Sequence, residues 1–197
     1  MKGALQVING VRLSCGSLLL FELLNWAGVL SFSLTFSWLG LIITLLVAWG
    51  VLEVLNHYFR RHGGQLLQSW LFVLVFTGLG LDALGDILHW YQNLWWYDNL
   101  IHALGGLGAG LLIALVCWRL EKIYELRLPW GLFFAAALGI AMALGVVYEL
   151  EEYLEDFFTG SQRLGDGFDT ANDLLMNTMG SLLGIAAVLW RRKKKST

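Results

Sequence analysis

Six apolar runs, each long enough to cross a lipid bilayer, constrain this chain more than any other feature of its sequence. A transmembrane helix needs about 20 predominantly apolar residues, and such runs cover about 11–31, 37–57, 66–90, 96–118, 128–153 and 169–190. The stretch 11–57 is too long for one crossing, and its Ser- and Phe-rich segment 31–37 provides a turn between two crossings. The sequence therefore predicts an all-α, polytopic membrane helix bundle with six transmembrane helices.

The composition agrees with a membrane protein and excludes several other classes. Hydrophobic residues make up 57% of the 197 residues and charged residues 14%, whereas soluble domains carry about 25% charged residues. This balance excludes a disordered chain, a nucleic-acid binder and a disulfide-stapled secreted module. Residues 1–197 are predicted to form a single membrane domain whose partner is the lipid bilayer, while the oligomeric state is left open.

The positive charges indicate how the chain is oriented in the membrane. Cytoplasmic loops of membrane proteins carry an excess of Lys and Arg. With six spans, Arg163 falls on one side of the membrane and the other basic residues on the opposite side, namely Lys2, Arg12, Arg60, Arg61, Arg119, Lys122, Arg127 and the tail 191–195. Both termini are therefore predicted to be cytoplasmic.

Polar residues recur at helical spacing on the last four spans. Residues three, four or seven positions apart share one face of a helix. Such groups are Asp82, Asp86 and His89 on the third span, Asp98 and His102 on the fourth, Glu149 and Glu152 on the fifth, and Asp169, Asp173 and Asn177 on the sixth. Because the third and fifth spans run outward and the fourth and sixth run inward, all four groups lie at the same depth, near the extracytoplasmic face.

The cost of placing charge in a membrane predicts that these groups meet. A charged side chain in the bilayer costs about 2.5–3.5 kcal/mol and almost always faces the bundle interior or a wet cavity. We therefore expect one pocket that opens to the extracytoplasmic face and contains seven carboxylates, two histidines and no Lys or Arg. Like charges at close range in low dielectric cannot all ionise, so bound cations or retained protons must neutralise them.

Carboxylates together with imidazoles predict a divalent metal site. This mixed ligand set suits Zn, Mn or Fe, whereas an all-oxygen subset suits Mg or Ca. The predicted metal-binding residues are Asp82, Asp86, His89, Asp98, His102, Asp169, Asp173 and Asn177, with Glu149 and Glu152 as catalytic residues. The alternative is that these side chains only form hydrogen bonds across helices, at about 0.6 kcal/mol each.

The remaining polar residues in or near the spans are expected to have separate roles. Glu151, Glu155 and Asp156 are predicted to lie solvated on the outer loop, and Glu53 with His57 to form a local pair one turn apart.

Three motifs carry a resemblance to known bacterial membrane families. They are Tyr97-Asp98-x-x-x-His102, then Tyr148-Glu149, then Gly165-Asp166-Gly167-x-Asp169-Thr170-x-x-Asp173-x-x-x-Asn177-x-x-Gly180-x-x-x-Gly184. In this order they resemble the YjdF-like family of bacterial inner-membrane proteins of unknown function and, more distantly, the VanZ-like family. The first two spans carry none of these motifs.

The resemblance implies a multi-pass protein of the bacterial inner membrane with a role at the cell envelope. VanZ-like proteins are associated with resistance to glycopeptide antibiotics, and they tend to have an arginine in the loop before the last helix, where this chain has Arg163. The resemblance places the motif residues at Asp98, His102, Glu149, Asp169, Asp173 and Asn177.

Three classes of function are compatible with the pattern. The first is a metal-dependent membrane hydrolase or transferase that acts on a lipid or cell-envelope precursor, with Asp98, His102, Asp169 and Asp173 as metal ligands and Glu149 as ligand or base. The second is a cation or proton transporter that uses the same carboxylates. The third is a non-catalytic membrane subunit that binds a partner through its aromatic outer edge.

Overall fold

The computed structural model describes residues 2–194, and within that range the chain forms seven helices and no strand. The helices are α1 (Lys2–Trp26), α2 (Trp38–His62), α3 (Ser69–Ile87), α4 (Trp90–Asn93), α5 (Tyr97–Ile123), α6 (Trp130–Thr159) and α7 (Gly167–Lys194). All except the short α4 are long and apolar enough to cross a membrane, which makes six spans in the described part of the chain. The predicted all-α membrane fold with six spans is confirmed.

Several helices are longer than the apolar runs from which they are predicted. α1 begins at Lys2 rather than near residue 11, α6 continues to Thr159, and α7 reaches Lys194. Hydropathy marks only the part of a helix that lies in hydrocarbon, whereas the backbone hydrogen bonds continue past it. The third run is instead shorter than predicted, because α3 ends at Ile87 and His89 adopts a left-handed backbone conformation with φ of 55° before α4 begins.

The chain divides into two compact units. Unit 1 contains the described residues up to 97 together with 154–163, and unit 2 contains 98–153 together with the described residues from 164 onward. The unit boundary falls within α6, so the last six residues of that helix belong to unit 1. Because compactness does not establish independent folding, the interpretation of the whole chain as one membrane domain stays a prediction.

Unit 1 is held together by packing of α1, α2 and α3 on one another. The contacts bury apolar side chains such as Ile8, Leu45 and Phe72. Arg12 of α1 forms a two-pronged ion pair with Glu53 of α2, with Nε 2.6 Å from Oε1 and Nη2 2.5 Å from Oε2. The predicted local pair of Glu53 with His57 is therefore wrong, because a guanidinium on the neighbouring helix satisfies both carboxylate oxygens.

Unit 2 is built on close packing of α5 against α7. Gly106 and Gly110 of α5 lie against the backbones of Asn177 and Ser181, while Gly180 and Gly184 lie against the α5 backbone. Each four-residue step along α5 corresponds to a four-residue step along α7, so the two helices run parallel. The two small-residue motifs allow backbone contact, and Ser181 strengthens it by donating a hydrogen bond of 3.1 Å to the Gly106 carbonyl oxygen.

The glycine contacts predict a selective effect of adding one methyl group. A Cβ at Gly106 would overlap the backbone of Asn177, whereas a Cβ at Gly108 would meet nothing within 4 Å. We expect Gly106→Ala to lower the free energy of unfolding of the purified protein by about 1–3 kcal/mol, the usual cost of overpacking. Gly108→Ala is the matched control, and its thermal unfolding midpoint in detergent should equal or exceed that of the native protein. Equal losses in both variants would contradict the observed packing.

Candidate metal centre

His102 on α5 lies at the centre of a carboxylate cluster in unit 2. Its side chain is buried, and its Nε2 atom lies 3.4 Å from Oδ1 of Asp98 and 3.6 Å from Oδ1 of Asp173. Asp98 precedes His102 by one turn of α5, and Asp173 belongs to α7. Two carboxylates from different helices therefore approach the same ring nitrogen.

The register of the α5–α7 contact explains why these residues meet. Gly106 faces Asn177, and one turn toward the N-terminal ends of both parallel helices brings His102 beside Asp173. Because the glycines let the two backbones approach closely, an aspartate is long enough to reach across the interface. The glycines of α5 and α7 thus position His102 and Asp173, which lie on the same faces of these two helices.

Glu149 of α6 lies beside the other nitrogen of the His102 ring, Nδ1. Nδ1 of His102 lies 3.8 Å from Oε1 of Glu149, and the side-chain amide of Asn177 lies 3.1 Å from the same nitrogen. Glu152, one turn further along α6, completes a second group in which one ligand atom each from His102, Glu149 and Glu152 lie within 4.8 Å of one another. All three of these side chains are buried. His102 therefore belongs to two groups of candidate ligands, with Nε2 beside Asp98 and Asp173 and Nδ1 beside Glu149.

The separations around Nε2 are compatible with ligands of one metal ion. Hydrogen bonds between nitrogen and oxygen span about 2.7–3.2 Å, so contacts of 3.4 Å and 3.6 Å are too long for strong ones. Ligand atoms at about 2.1 Å from a tetrahedral ion lie about 3.4 Å from one another. Asp98, His102 and Asp173 together have ligand atoms within 4.8 Å of one another, as a shared cation requires.

Buried acceptors in this cluster lack hydrogen-bond partners among the described residues. They are both carboxylate oxygens of Glu149, which is 5% exposed, and Oδ1 of Asp173, which is 2% exposed. An unsatisfied buried polar group costs about 1–3 kcal/mol, and more when it is charged. The basic residues of unit 2 cannot compensate, because in its described part they lie at 119–127 and 191–194, toward the other ends of α5 and α7. A cation would satisfy these oxygens.

The cluster is accessible from one side. The Asp98 side chain is 32% exposed, and an open depression of about 510 Å³ adjoins the first turn of α7, lined by Asp166, Phe168, Asp169 and Asn172. Asp169 lies one turn before Asp173, but its carboxylate contacts Gly165 and belongs to neither candidate ligand group. The exposed part of Asp98 and the neighbouring depression give solvent access to this side of the cluster.

Unit 1 contains a different polar cluster, centred on Arg163. This arginine is 7% exposed, and its Nη2 donates a hydrogen bond of 3.0 Å to Oδ1 of Asp82. Its Nε lies 3.9 Å from Oε2 of Glu155, and the Tyr91 hydroxyl donates to Asp82 at 2.6 Å. Asp82 is therefore paired with a guanidinium and a phenol within unit 1.

Asp86 and His89 hold the segment that follows α1. Oδ1 of Asp86 accepts hydrogen bonds from the backbone N–H groups of Thr35 and Phe36, at 2.7 Å and 2.9 Å. Nδ1 of His89 lies 3.1 Å from Oγ1 of Thr35, and Nε2 lies 3.2 Å from Oγ of Ser33. These contacts give Asp86 and His89 a structural role in ordering the turn between the first two spans.

Two expectations from the sequence are wrong. Glu151, Glu155 and Asp156 do not lie on a loop, because α6 continues to Thr159. Glu155 is 5% exposed and accepts a hydrogen bond of 2.6 Å from the Ser37 hydroxyl, and Asp156 accepts hydrogen bonds from the Ser161 hydroxyl and the Arg163 backbone N–H. The sequence also predicts that the acidic residues have no Lys or Arg among them, whereas Arg163 forms an ion pair of 3.0 Å with Asp82. The predicted topology alone could not show that the Arg163 guanidinium, on a short loop, points toward Asp82.

A family comparison agrees with this architecture. Residues 13–195 match the model of a family described as predicted membrane protein (DUF2238). The chain belongs to this family. No curated protein and no solved structure matches the chain.

The match makes this DUF2238 protein a member of an uncharacterised membrane family, and the site must be interpreted from its own residues. Of the predicted set, the structure brings together Asp98, His102, Glu149, Glu152, Asp173 and Asn177 in unit 2. It places Asp82, Asp86 and His89 in contacts within unit 1. That all of them share one pocket stays a prediction.

Sequence reasoning missed Arg163 as a functional neighbour, although a signal was present. Arg163 is the one basic residue predicted on the extracytoplasmic side. Arg163 donates its hydrogen bond to Asp82, which lies 81 positions earlier in the chain. Helical periodicity therefore could not predict the pair. The available clue was that a single basic residue is predicted on the same side of the membrane as several carboxylates that need a counter-charge.

Removing the guanidinium should destabilise unit 1. Breaking one partner of a buried ion pair costs about 3–5 kcal/mol, so Arg163→Met should lower the thermal unfolding midpoint in detergent well below the native value. The double variant Asp82→Asn with Arg163→Met should recover part of the loss, because no uncompensated charge then remains on Asp82. The exposed Arg127 provides the control Arg127→Met, which should unfold like the native protein. A native midpoint for Arg163→Met would show that the pair contributes nothing.

Proposed function

We propose that this DUF2238 protein is a metal-dependent membrane hydrolase or transferase that acts on a lipid or cell-envelope substrate. One observation carries the proposal: two carboxylate oxygens, from Asp98 and Asp173, approach a single ring nitrogen of His102. Their distances from that nitrogen are close to the distance between two ligand atoms of one metal ion. Oδ1 of Asp173, which has no hydrogen-bond partner among the described residues, is the atom that faces this nitrogen.

The ligand chemistry favours particular metals. A set of one imidazole and two carboxylates suits Zn, Mn or Fe, while Mg and Ca prefer oxygen ligands alone. The divalent ion would be held by Asp98, His102 and Asp173, and it would supply Lewis-acid activation of water and stabilisation of anionic charge.

The chain's own groups provide orientation and proton transfer. The Asn177 amide, 3.1 Å from Nδ1, holds the His102 ring and so aims Nε2 at the two aspartates. Asp169 lines the open depression one turn from Asp173, within reach of water or substrate entering there, and is a candidate for moving a proton. Of the predicted catalytic pair, Glu149 lies beside Nδ1 of the imidazole, and Glu152 belongs to the same group of candidate ligands.

The position of the depression favours a membrane-associated substrate. Phe168 on its rim is 88% exposed, and Leu175, two turns along α7, is 53% exposed. Apolar side chains beside a polar depression suit a molecule with a lipid tail and a polar head. The YjdF-like and VanZ-like resemblance supports a bacterial inner membrane and an envelope substrate, and the charge distribution supports an extracytoplasmic opening.

The transport alternative has weaker support. Along the described part of α5 and α7 beyond the glycine contacts, the buried side chains are apolar, among them Leu112, Leu115, Ile185 and Val188. Among the buried side chains described in that direction, the first charged one is Glu121, which is paired with Arg192 at 2.9 Å. Because the cluster opens on one side, an enzymatic reaction at this site is favoured over transport of a cation through it.

Metal analysis of the purified protein tests the site. We expect the native chain, saturated with Zn²⁺ or Mn²⁺ and then desalted, to retain metal, and the double variant His102→Ala with Asp173→Ala to lose the ion held at Nε2. Glu125→Gln, at an exposed position beyond α5, is the charge-removal control and should keep the native metal content. Undiminished binding in the double variant would refute the assignment.

A second measurement tests the reaction. Membrane lipid extracts incubated with the metal-loaded protein in nanodiscs should show a product by mass spectrometry. A chelator should abolish the product, and added Mn²⁺ or Zn²⁺ should restore it. Asp98→Asn should lower the turnover by about 10–100-fold, because it weakens the positioning of the metal. Metal-independent turnover would contradict the proposed mechanism.

A further inference from the structure

We propose that unit 2 holds two divalent cations, the second of them between Glu149, Glu152 and Nδ1 of His102. The inference rests on the proposed function for the first ion at Nε2 and adds a separate position on the other side of the imidazole. It assigns Glu149 and Glu152 the role of ligands.

Geometry provides the first argument. The Nδ1 atom lies 3.8 Å from Oε1 of Glu149, and one ligand atom from each of the three residues lies within 4.8 Å of the others. Ligands at about 2.1 Å from an octahedral ion are separated by about 3.0 Å when adjacent and about 4.2 Å when opposite. The observed spacing therefore accommodates one ion with only small side-chain movements.

Unsatisfied burial provides the second argument. Glu149 is 95% buried, and among the described residues neither of its oxygens has a hydrogen-bond partner. Its Oε1 is directed at the His102 ring. A carboxylate in this setting needs a positive partner, and the basic residues of the described part of unit 2 lie toward the other ends of its helices.

Charge balance provides the third argument. One divalent ion at Nε2 neutralises Asp98 and Asp173 and leaves Glu149 and Glu152 with two negative charges. A second divalent ion balances these two charges. When both ring nitrogens bind metal, the remaining N–H proton of His102 passes to solvent and leaves an imidazolate, so the two ions lower the charge of the four carboxylates and the imidazolate from minus five to minus one. The second ion takes the place of the contact between Nδ1 and the Asn177 side-chain amide.

Metal stoichiometry distinguishes one ion from two. The native full-length protein in nanodiscs, saturated with Mn²⁺ and desalted, should contain two Mn²⁺ per chain by elemental analysis and show an exchange-coupled pair in its paramagnetic resonance spectrum. Glu149→Gln and Glu152→Gln, made separately, should each contain one Mn²⁺ and lose the coupling. Glu151→Gln is the matched control on the same helix and belongs to neither ligand group, so it should keep two.

The outcomes separate this inference from the proposed function. One Mn²⁺ per native chain, unchanged in both glutamine variants, would refute the second ion while leaving the first in place. No bound Mn²⁺ in the native chain would refute both. If Glu149→Gln fails to fold by size-exclusion chromatography, Glu152→Gln decides, and two ions in a folded Glu152→Gln variant would overturn the assignment.

Discussion

The backbone contact between α5 and α7 is the constraint on which the candidate site depends. Four glycines let these parallel helices touch, and the contact fixes which residues face each other. Moving one helix by a single turn would leave His102 opposite Asp169 or Asn177 instead of Asp173. The metal-type cluster is therefore a consequence of helix register, and the register is set by residues that have no chemistry of their own.

The two units contain buried carboxylates in contrasting environments. In unit 1, Arg163 provides an internal counter-charge for Asp82 and approaches Glu155, so the cluster is a structural ion-pair network. Buried carboxylate oxygens without a hydrogen-bond partner among the described residues occur in both units, for example Oδ2 of Asp86 in unit 1 and both oxygens of Glu149 in unit 2. In unit 2, however, the basic side chains lie toward the other ends of the helices, and the acidic groups surround a histidine. Buried charge must be paired: Arg163 is a fixed partner in unit 1, and a bound cation is the partner that we propose for unit 2.

Much of the fold and part of the site could be predicted from sequence. Apolar runs gave six spans, and helical spacing placed Asp98 with His102 and Asp173 with Asn177 on shared faces. The end of α3 could not be foreseen, because the left-handed conformation of His89 is stabilised by contacts with Ser33 and Thr35 that lie more than fifty positions away. Long-range pairs such as Arg12 with Glu53 have no periodic signature either.

By itself, the sequence determined the membrane class, the number of spans and the polar stripe on each helix, because hydropathy and helical periodicity are local properties. Only the tertiary structure decided which stripes meet, that Arg163 turns inward to Asp82, and that His102 offers one ring nitrogen to the aspartates and the other to Glu149. Those outcomes depend on how closely two backbones approach and in which register. Such quantities come from packing between residues far apart in the chain.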